Sequence, residues 1–248
     1  MDLRIQRAVV ANLANRPNAV ECGPFVIGFD DSSDSPFINY ATPVPGAEIT
    51  AADVAALVAA FGDRKPRLEY VVSCAPALEK LLIEAGFTVE VRHEYLVCTP
   101  STFVEPPTPD GFALIEPVSD DELHGMIAVQ SAAFGELYTP NPAEADRQRR
   151  NQQRGGVLVA ARTTGGRYAG GAVSSVPSDG ISEVAGIAVD SPFRRQGVGA
   201  AITAAVVRRL FGAGVEIAWL EASGDDSWRV YERVGFRPAG QRLYISKN

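Results

Sequence analysis

Val189-Asp190-Ser191-Pro192-Phe193-Arg194-Arg195-Gln196-Gly197-Val198-Gly199-Ala200 lies between an apolar run and a helical pattern. Pro192 keeps the chain from entering the helix early. Gly197 and Gly199 leave the backbone bare, so an anion can come close to the amides. A helix opening near Gly199 aims its unbonded N–H groups and positive dipole end at the same point. Arg194 and Arg195 add mobile positive charge. The turn reads as a diphosphate cradle built mainly from main chain. It is neither G-x-x-x-x-G-K-[ST] nor G-x-G-x-x-G, which disfavours a P-loop and a dinucleotide fingerprint. Taken alone, the same residues also describe a tight strand-to-helix turn with surface arginines.

Outward from this turn the second half alternates strand and helix. FALIEPV (112–118) reads as a strand. Ser119 and Glu122 form a capping box, and Leu123, Met126, Ile127, Gln130 and Phe134 follow as a helical stripe whose weak member is Gln130. The polar stretch 141–154 reads as a helix. VLVAART (157–163), YAGGAVSSV (168–176) and ISEVAGIAV (181–189) read as strands joined by hairpin turns. Ile202, Val206 and Leu210 share a helical face. EIAWLEAS (216–223) is a strand, 227–234 a short helix stopped by Gly235, and 236–245 a last strand. Hairpins followed by strand–helix–strand predict an α/β mixed sheet with helices on its faces.

The first half has fewer elements. PFVIGF (24–29) and FINYA (37–41) suggest a hairpin. Thr50 and Asp53 cap a helix with Val54, Leu57, Val58 and Phe61 on one face. RLEYVVS (67–73), a helix with Leu78, Leu81, Leu82 and Ala85, and a strand from Phe87 to Cys98 complete it. STFVEPPTPD (101–110) reads as a linker, which places domains at 1–104 and 105–248. Both halves end as strand, short helix, Gly-Phe, strand. Aligning Gly86 with Gly235 sets Leu82 opposite Tyr231.

Composition narrows the function. Lys+Arg 23 against Asp+Glu 30 gives a net charge of −7, which argues against a dedicated nucleic-acid binder. No apolar run is long enough to span a bilayer, and the first residues show no secretory pattern, so no membrane partner is expected. Cys22, Cys74 and Cys98 have no metal-ligand spacing, and His93 and His124 are the only histidines. No metal is expected, and a cytoplasmic location is.

Three segments in order resemble the GNAT superfamily of N-acetyltransferases: EVAGIAV (183–189), R-R-Q-G-V-G-A (194–200) and SWRVYERVGF (227–236). The first is similar to the family's central strand, the second to its acyl-CoA motif R/Q-x-x-G-x-G/A, the third to its last conserved helix. The sequence departs from the pattern at Gly224 and Ser227, where many members have Asn and Ala. The resemblance covers about 112–248 and implies a GNAT-like fold there. The shared element order suggests a smaller GNAT-like α/β N-terminal half, degenerate because it lacks the glycine turn and the tyrosine.

The resemblance implies acetyl-CoA as cosubstrate and direct acetyl transfer to a primary amine, small molecule or peptide, in a ternary complex. It implies that Arg194, Arg195, Gln196, Gly197, Val198, Gly199 and Ala200 hold the diphosphate. Ile187, Ala188 and Val189 would pair with the pantetheine arm. Glu183 would accept the amine proton; a solvent-facing glutamate at a strand start is the alternative, and alternation sets it on the face of Ala185 and Ile187. Tyr231 would assist the departing thiolate; the alternative is a core aromatic. Arg147, Arg149, Arg150 and Arg154 read as a solvated helix face, His124 as a helix-surface residue, Glu136 and Tyr138 as loop residues. A non-catalytic acyl-CoA-binding sensor and an interaction module are the rival functions, and a homodimer stays open.

Overall fold

The computed structural model describes every residue except Ser32, Asp34 and Ser223, with the backbone alone for Asp225 and Asp226. The chain divides into two compact units, Met1–Tyr95 with Pro238–Asn248, and Leu96–Arg237.

The first unit runs α1 (Asp2–Ala14), β1 (Val20–Cys22), β2 (Phe25–Gly28), β3 (Tyr40–Pro43), α2 (Ala51–Ala60), β4 (Arg67–Val71), α3 (Leu78–Glu84) and β5 (Thr88–Cys98), whose last residues from Leu96 belong to the second unit. The second holds β6 (Phe112–Ile115), α4 (Asp120–Ala133), α5 (Pro142–Gln153), β7 (Leu158–Thr163), β8 (Tyr168–Ser174), β9 (Ile181–Val189), α6 (Val198–Gly212), β10 (Ile217–Glu221) and α7 (Asp225–Val234). The final strand, β11 (Arg237–Ser246), lies in the first unit from Pro238 on. Ser223, expected to end the β10 strand, lies outside the described residues.

Three departures from the sequence reading concern these units. The compact units do not coincide with 1–104 and 105–248. β11 pairs antiparallel with β4, Leu243 opposite Tyr70 and Ile245 opposite Leu68, and those side chains share one core. Alternating apolar residues fix a strand's buried face but not its partner. The proline stretch is also no bare linker. Phe103 packs edge-on against Phe211, centroids 5.6 Å apart, and the Val104 amide donates to the Val234 carbonyl at 3.0 Å. Finally, α1 was not foreseen, although Ile5, Val9 and Leu13 are buried at helical spacing.

In the second unit the strand order is β10-β9-β8-β7-β6. β9 and β10 are parallel; the other neighbours are antiparallel. The mixed sheet predicted from hairpins followed by strand–helix–strand is present. On one face α6 packs with Ile202, Val206, Val207 and Leu210 against Val184, Ala218 and Leu220. On the other, Leu123 and Met126 of α4 and Ala145 of α5 cover Leu158 and Ala160. Ser119 and Glu122 close the predicted capping box at the start of α4, worth about 1 kcal/mol.

Candidate active site

The site begins where β9 and β10 stop pairing. Their register runs Ile181–Ile217, Ser182–Ala218, Glu183–Trp219 and ends there, although β9 continues to Val189 and β10 to Glu221. The cause lies within β9. Against β8, Ala188 faces Gly171 but Ala185 faces Val173, so Gly186 and Ile187 together oppose Ala172. Gly186 has φ +60°, the left-handed conformation of a bulge glycine. The extra residue bends β9 away from β10 and opens a fork in the sheet. One edge of residues 187–189 stays with β8; the other faces the fork.

The bulge is held from α4. Gln130, the odd polar member of an apolar stripe, is buried and donates from Nε2 to the Gly186 carbonyl at 2.6 Å. A Cβ at 186 would lie 3.0 Å from that nitrogen. Gly186 and Gln130 are site residues that the sequence reading missed. The available signals were a glycine inside a strand and a glutamine on a buried stripe.

The bulge also corrects the facing of β9. Val184 packs in the α6 core, so Glu183 and Ala185 point to the face that carries α4 and α5. Ile187 and Val189 pack in the α6 core as well. Ile187 therefore does not share a face with Glu183, because the inserted residue reverses the alternation. Glu183 is half-buried at the last pair before the fork, beside the buried Trp219. Its backbone is locked: the amide donates to Ser175 Oγ at 2.9 Å, and its carbonyl accepts from the Ser175 amide at 2.8 Å.

After Val189 comes a short 3-10 turn, Ser191–Phe193, with Pro192 in it. Gly197 then starts α6 with φ +86°, and no side chain caps the helix. Side chains of Thr50, Ser119 and Asn141 cap α2, α4 and α5, while α1, α3 and α7 also start without a side-chain cap; α6 differs from α1 and α3 in starting on a glycine at positive φ. The first amides of α6 have no partner within the helix. Gly199 sits between β9 and α7, where a Cβ would lie 3.6 Å from Val189 Cγ2 and 3.7 Å from Val230 Cγ1. Any longer side chain would fill that space.

The arginines of the turn divide. Arg194 is exposed but not loose: Nε donates to the Val189 carbonyl at 2.9 Å and a terminal nitrogen to the Ala133 carbonyl at 3.2 Å. It joins the end of β9 to the end of α4, so the mobile charge expected of it is corrected. Arg195 is exposed, in the left-handed region at φ +61°. Gln196 folds back to the Pro192 carbonyl at 3.0 Å. Val198 and Ala200 are buried and root the helix in the core.

Tyr231 projects from α7 into the α6 core, 7% exposed, near Phe236. Burial alone pushes its phenol up to about 12, so it keeps its proton through the neutral range. Glu183 and Tyr231 thus come from opposite faces of the sheet, and the fork opens between those faces.

The residues of α4, α5 and the loop between them depart in part from the sequence expectation. His124 is not a lone surface residue: Nδ1 and the Tyr138 hydroxyl are 2.5 Å apart. Burial raises the Tyr138 phenol, with the nearby Glu144 charge adding to it. Arg149 forms ion pairs with Asp120 and Asp146, and Arg147 and Arg154 are also engaged. Glu136 is exposed. Among the described residues, no group of three or more His, Cys, Asp or Glu is placed to hold a metal ion, and no helix is long and apolar enough to cross a membrane.

Residues 123–236 match the Acetyltransferase (GNAT) family. This segment is a GNAT acetyltransferase domain. The whole chain is similar to a GCN5-related N-acetyltransferase from Kribbella flavida, at 27% identity and TM-score 0.82, covering 100% of this chain and 95% of that one. A GCN5-related N-acetyltransferase from Sphaerobacter thermophilus shares the fold at 14% identity and TM-score 0.64, covering 90% and 76%. So does a tandem GNAT protein from the clavulanic acid biosynthesis pathway, at 13% identity and TM-score 0.62, covering 90% and 77%. No curated protein gives a significant match. The matched GNAT segment contains the forked strands, the uncapped α6 and Tyr231.

Proposed function

We propose that the chain is an acetyl-CoA-dependent N-acetyltransferase whose acceptor is a primary amine, small molecule or peptide. The observation that carries this reading is the fork between β9 and β10 leading to the uncapped, glycine-started α6. The residues fit acyl-CoA: bare amides for a diphosphate, a strand edge for an amide-bearing arm, and a Gly199 position that a side chain would fill.

Acetyl-CoA supplies an acyl thioester, whose C–S bond breaks as the amine nitrogen forms the new C–N bond. The amides of Gly197, Val198, Gly199 and Ala200 donate to the diphosphate, and Arg195 adds charge. Arg194 and Gln196 hold the turn in shape. Ile187, Ala188 and Val189 bond the pantetheine arm, and the Val189 amide polarises the thioester carbonyl. Glu183 accepts the proton of the incoming ammonium, directly or through water. Tyr231 donates a hydrogen bond to the sulfur, and the second proton, which the nitrogen sheds as it becomes an amide, leaves with the thiolate as the free thiol. Full proton transfer from a phenol at about 12 to a thiolate of ordinary pKa, ~8.5, is uphill by about 5 kcal/mol, so its role is hydrogen-bond donation. The net charge of −7 suits a cationic acceptor. In this reading the first unit, Met1–Tyr95 with Pro238–Asn248, is a degenerate GNAT-like partner of the catalytic second unit, and the protein acts in the cytoplasm.

The test is release of free CoA from acetyl-CoA across a panel of primary amines, comparing wild type, Glu183→Gln and Gly197→Glu. Amine-dependent release lost in both variants supports the reading. Binding of acetyl-CoA with no release for any amine contradicts it and favours a sensor.

A further inference from the structure

The first unit's order α1-β1-β2-β3-α2-β4-α3 follows α4-β7-β8-β9-α6-β10-α7 of the second, with no counterpart of β6 or α5, and local geometry aligns the two. α3 and α7 end alike: the Phe87 amide donates to the Leu82 carbonyl at 3.0 Å, and the Phe236 amide to the Tyr231 carbonyl at 3.1 Å. Gly86 and Gly235 follow with φ +89° and +102°. Leu82 is to α3 what Tyr231 is to α7. By the same order β3, α2 and β4 stand for β9, α6 and β10.

The corresponding fork is filled. β3 and β4 pair in parallel at Ala41–Leu68. Beyond that pair, Gln6 of α1 joins them. Its Nε2 donates to Thr42 Oγ1 and to the Pro43 carbonyl, both at 2.8 Å, and its Oε1 accepts from the Val71 amide at 2.9 Å. Thr42 Oγ1 donates in turn to the Glu69 carbonyl at 2.8 Å. Gln6 is fully buried. Its carboxamide makes, to the two strand edges, the donor and acceptor bonds that an amide-bearing arm would make.

The helix start is filled as well. Thr50 Oγ1 accepts from the Asp53 amide at 3.3 Å, and Asp53 Oδ2 accepts from the Thr50 amide at 2.8 Å and its hydroxyl at 2.7 Å. These bonds hold the Asp53 carboxyl below the usual range, so it is anionic at neutral pH. A carboxylate thus sits at the positive end of α2, where a second anion would be repelled.

We propose that the first unit is a self-filled copy of the ligand fold. Gln6 stands in for the pantetheine arm and Asp53 for the diphosphate, so each chain takes one acyl-CoA, in its second unit. This rests on the proposed function. The test is calorimetric titration of the full chain with acetyl-CoA. The expected stoichiometry is one for wild type and zero for Gly197→Glu. A wild-type stoichiometry of two, or one site persisting in Gly197→Glu, overturns the proposal. No binding to wild type overturns the proposed function and the single site with it, whereas two sites, or one that survives Gly197→Glu, overturn this proposal alone. A Gln6→Met variant, matched in size, is expected to lower Tm by several degrees and keep the single site; an unchanged Tm overturns the role given to Gln6. If Gly197→Glu does not fold, Gly199→Leu takes its place: the single site is expected to weaken at least tenfold, and unchanged affinity would put the site elsewhere and overturn the proposal.

Discussion

Replacing Tyr231 by Phe removes one oxygen from a nearly fully buried ring. The ring keeps its place beside Phe236 in the α6 core, so packing is preserved. The phenol is neutral at assay pH, because burial pushes it up to about 12. What is lost is a hydrogen bond to a sulfur that becomes negative as the C–S bond breaks. A hydrogen bond to a charged group is worth ~1.5–3 kcal/mol, which is a fall of about 10- to 150-fold in kcat. The Kd for acetyl-CoA is expected to stay within about twofold, since the neutral thioester gains little from the phenol. Stopped assays of CoA release give kcat, and calorimetry gives Kd. The pH profile adds a sign check. The folded pKa lies above the unfolded value near ~10, so this contribution to stability is whole below pH ~10 and is lost as pH rises toward 12, amounting to about 3 kcal/mol. Tyr231→Phe should therefore flatten alkaline unfolding and leave kcat without a Tyr-dependent limb below pH ~10. An unchanged kcat, or a lost affinity with unchanged kcat, refutes the role of sulfur donor.

The other predictions follow from the neighbouring residues. Glu183→Gln should cut kcat/KM by ~10²–10⁴ at neutral pH, and the deficit should shrink toward the amine's own pKa, ~10.4 for a lysine-like acceptor, where no base is needed; a pH-independent deficit would contradict proton removal. Gly186→Val forces a β-branched residue to positive φ beside Gln130 Nε2, costing at least ~1–2 kcal/mol; thermal denaturation should show a Tm loss of about 4 °C or more, with weaker acetyl-CoA binding as the fork closes. Gly199→Leu should fill the gap between Val189 and Val230 and weaken acetyl-CoA binding by at least tenfold while circular dichroism stays native.

Much of the second unit was legible because its signals are local. Ser119 with Glu122, the two glycines at 197 and 199, and Gly235 each act within a few residues. They fixed α4, the start of α6 and the end of α7. The bulge was hidden because Gly186 lies in an apolar strand, where one added residue leaves composition unchanged but reverses every later side chain. The Gln130 contact spans two distant segments, and no local rule joins residue 130 to 186. α1 was obscured by its own key residue: Gln6 interrupts the apolar stripe, yet is buried because both of its amide ends are satisfied. The allegiance of β11 to the first unit follows from strand partners, which alternation cannot specify. The His124–Tyr138 pair joins a helix to a loop that has no period of its own.

A crystal structure of the chain with CoA tests the central claim most directly. The diphosphate is expected within hydrogen-bond distance of the amides of residues 197–200, with the pantetheine arm along 187–189 and the sulfur in the fork between Glu183 and Tyr231. CoA bound elsewhere, or a protein side chain moved into the start of α6 in its place, would contradict it.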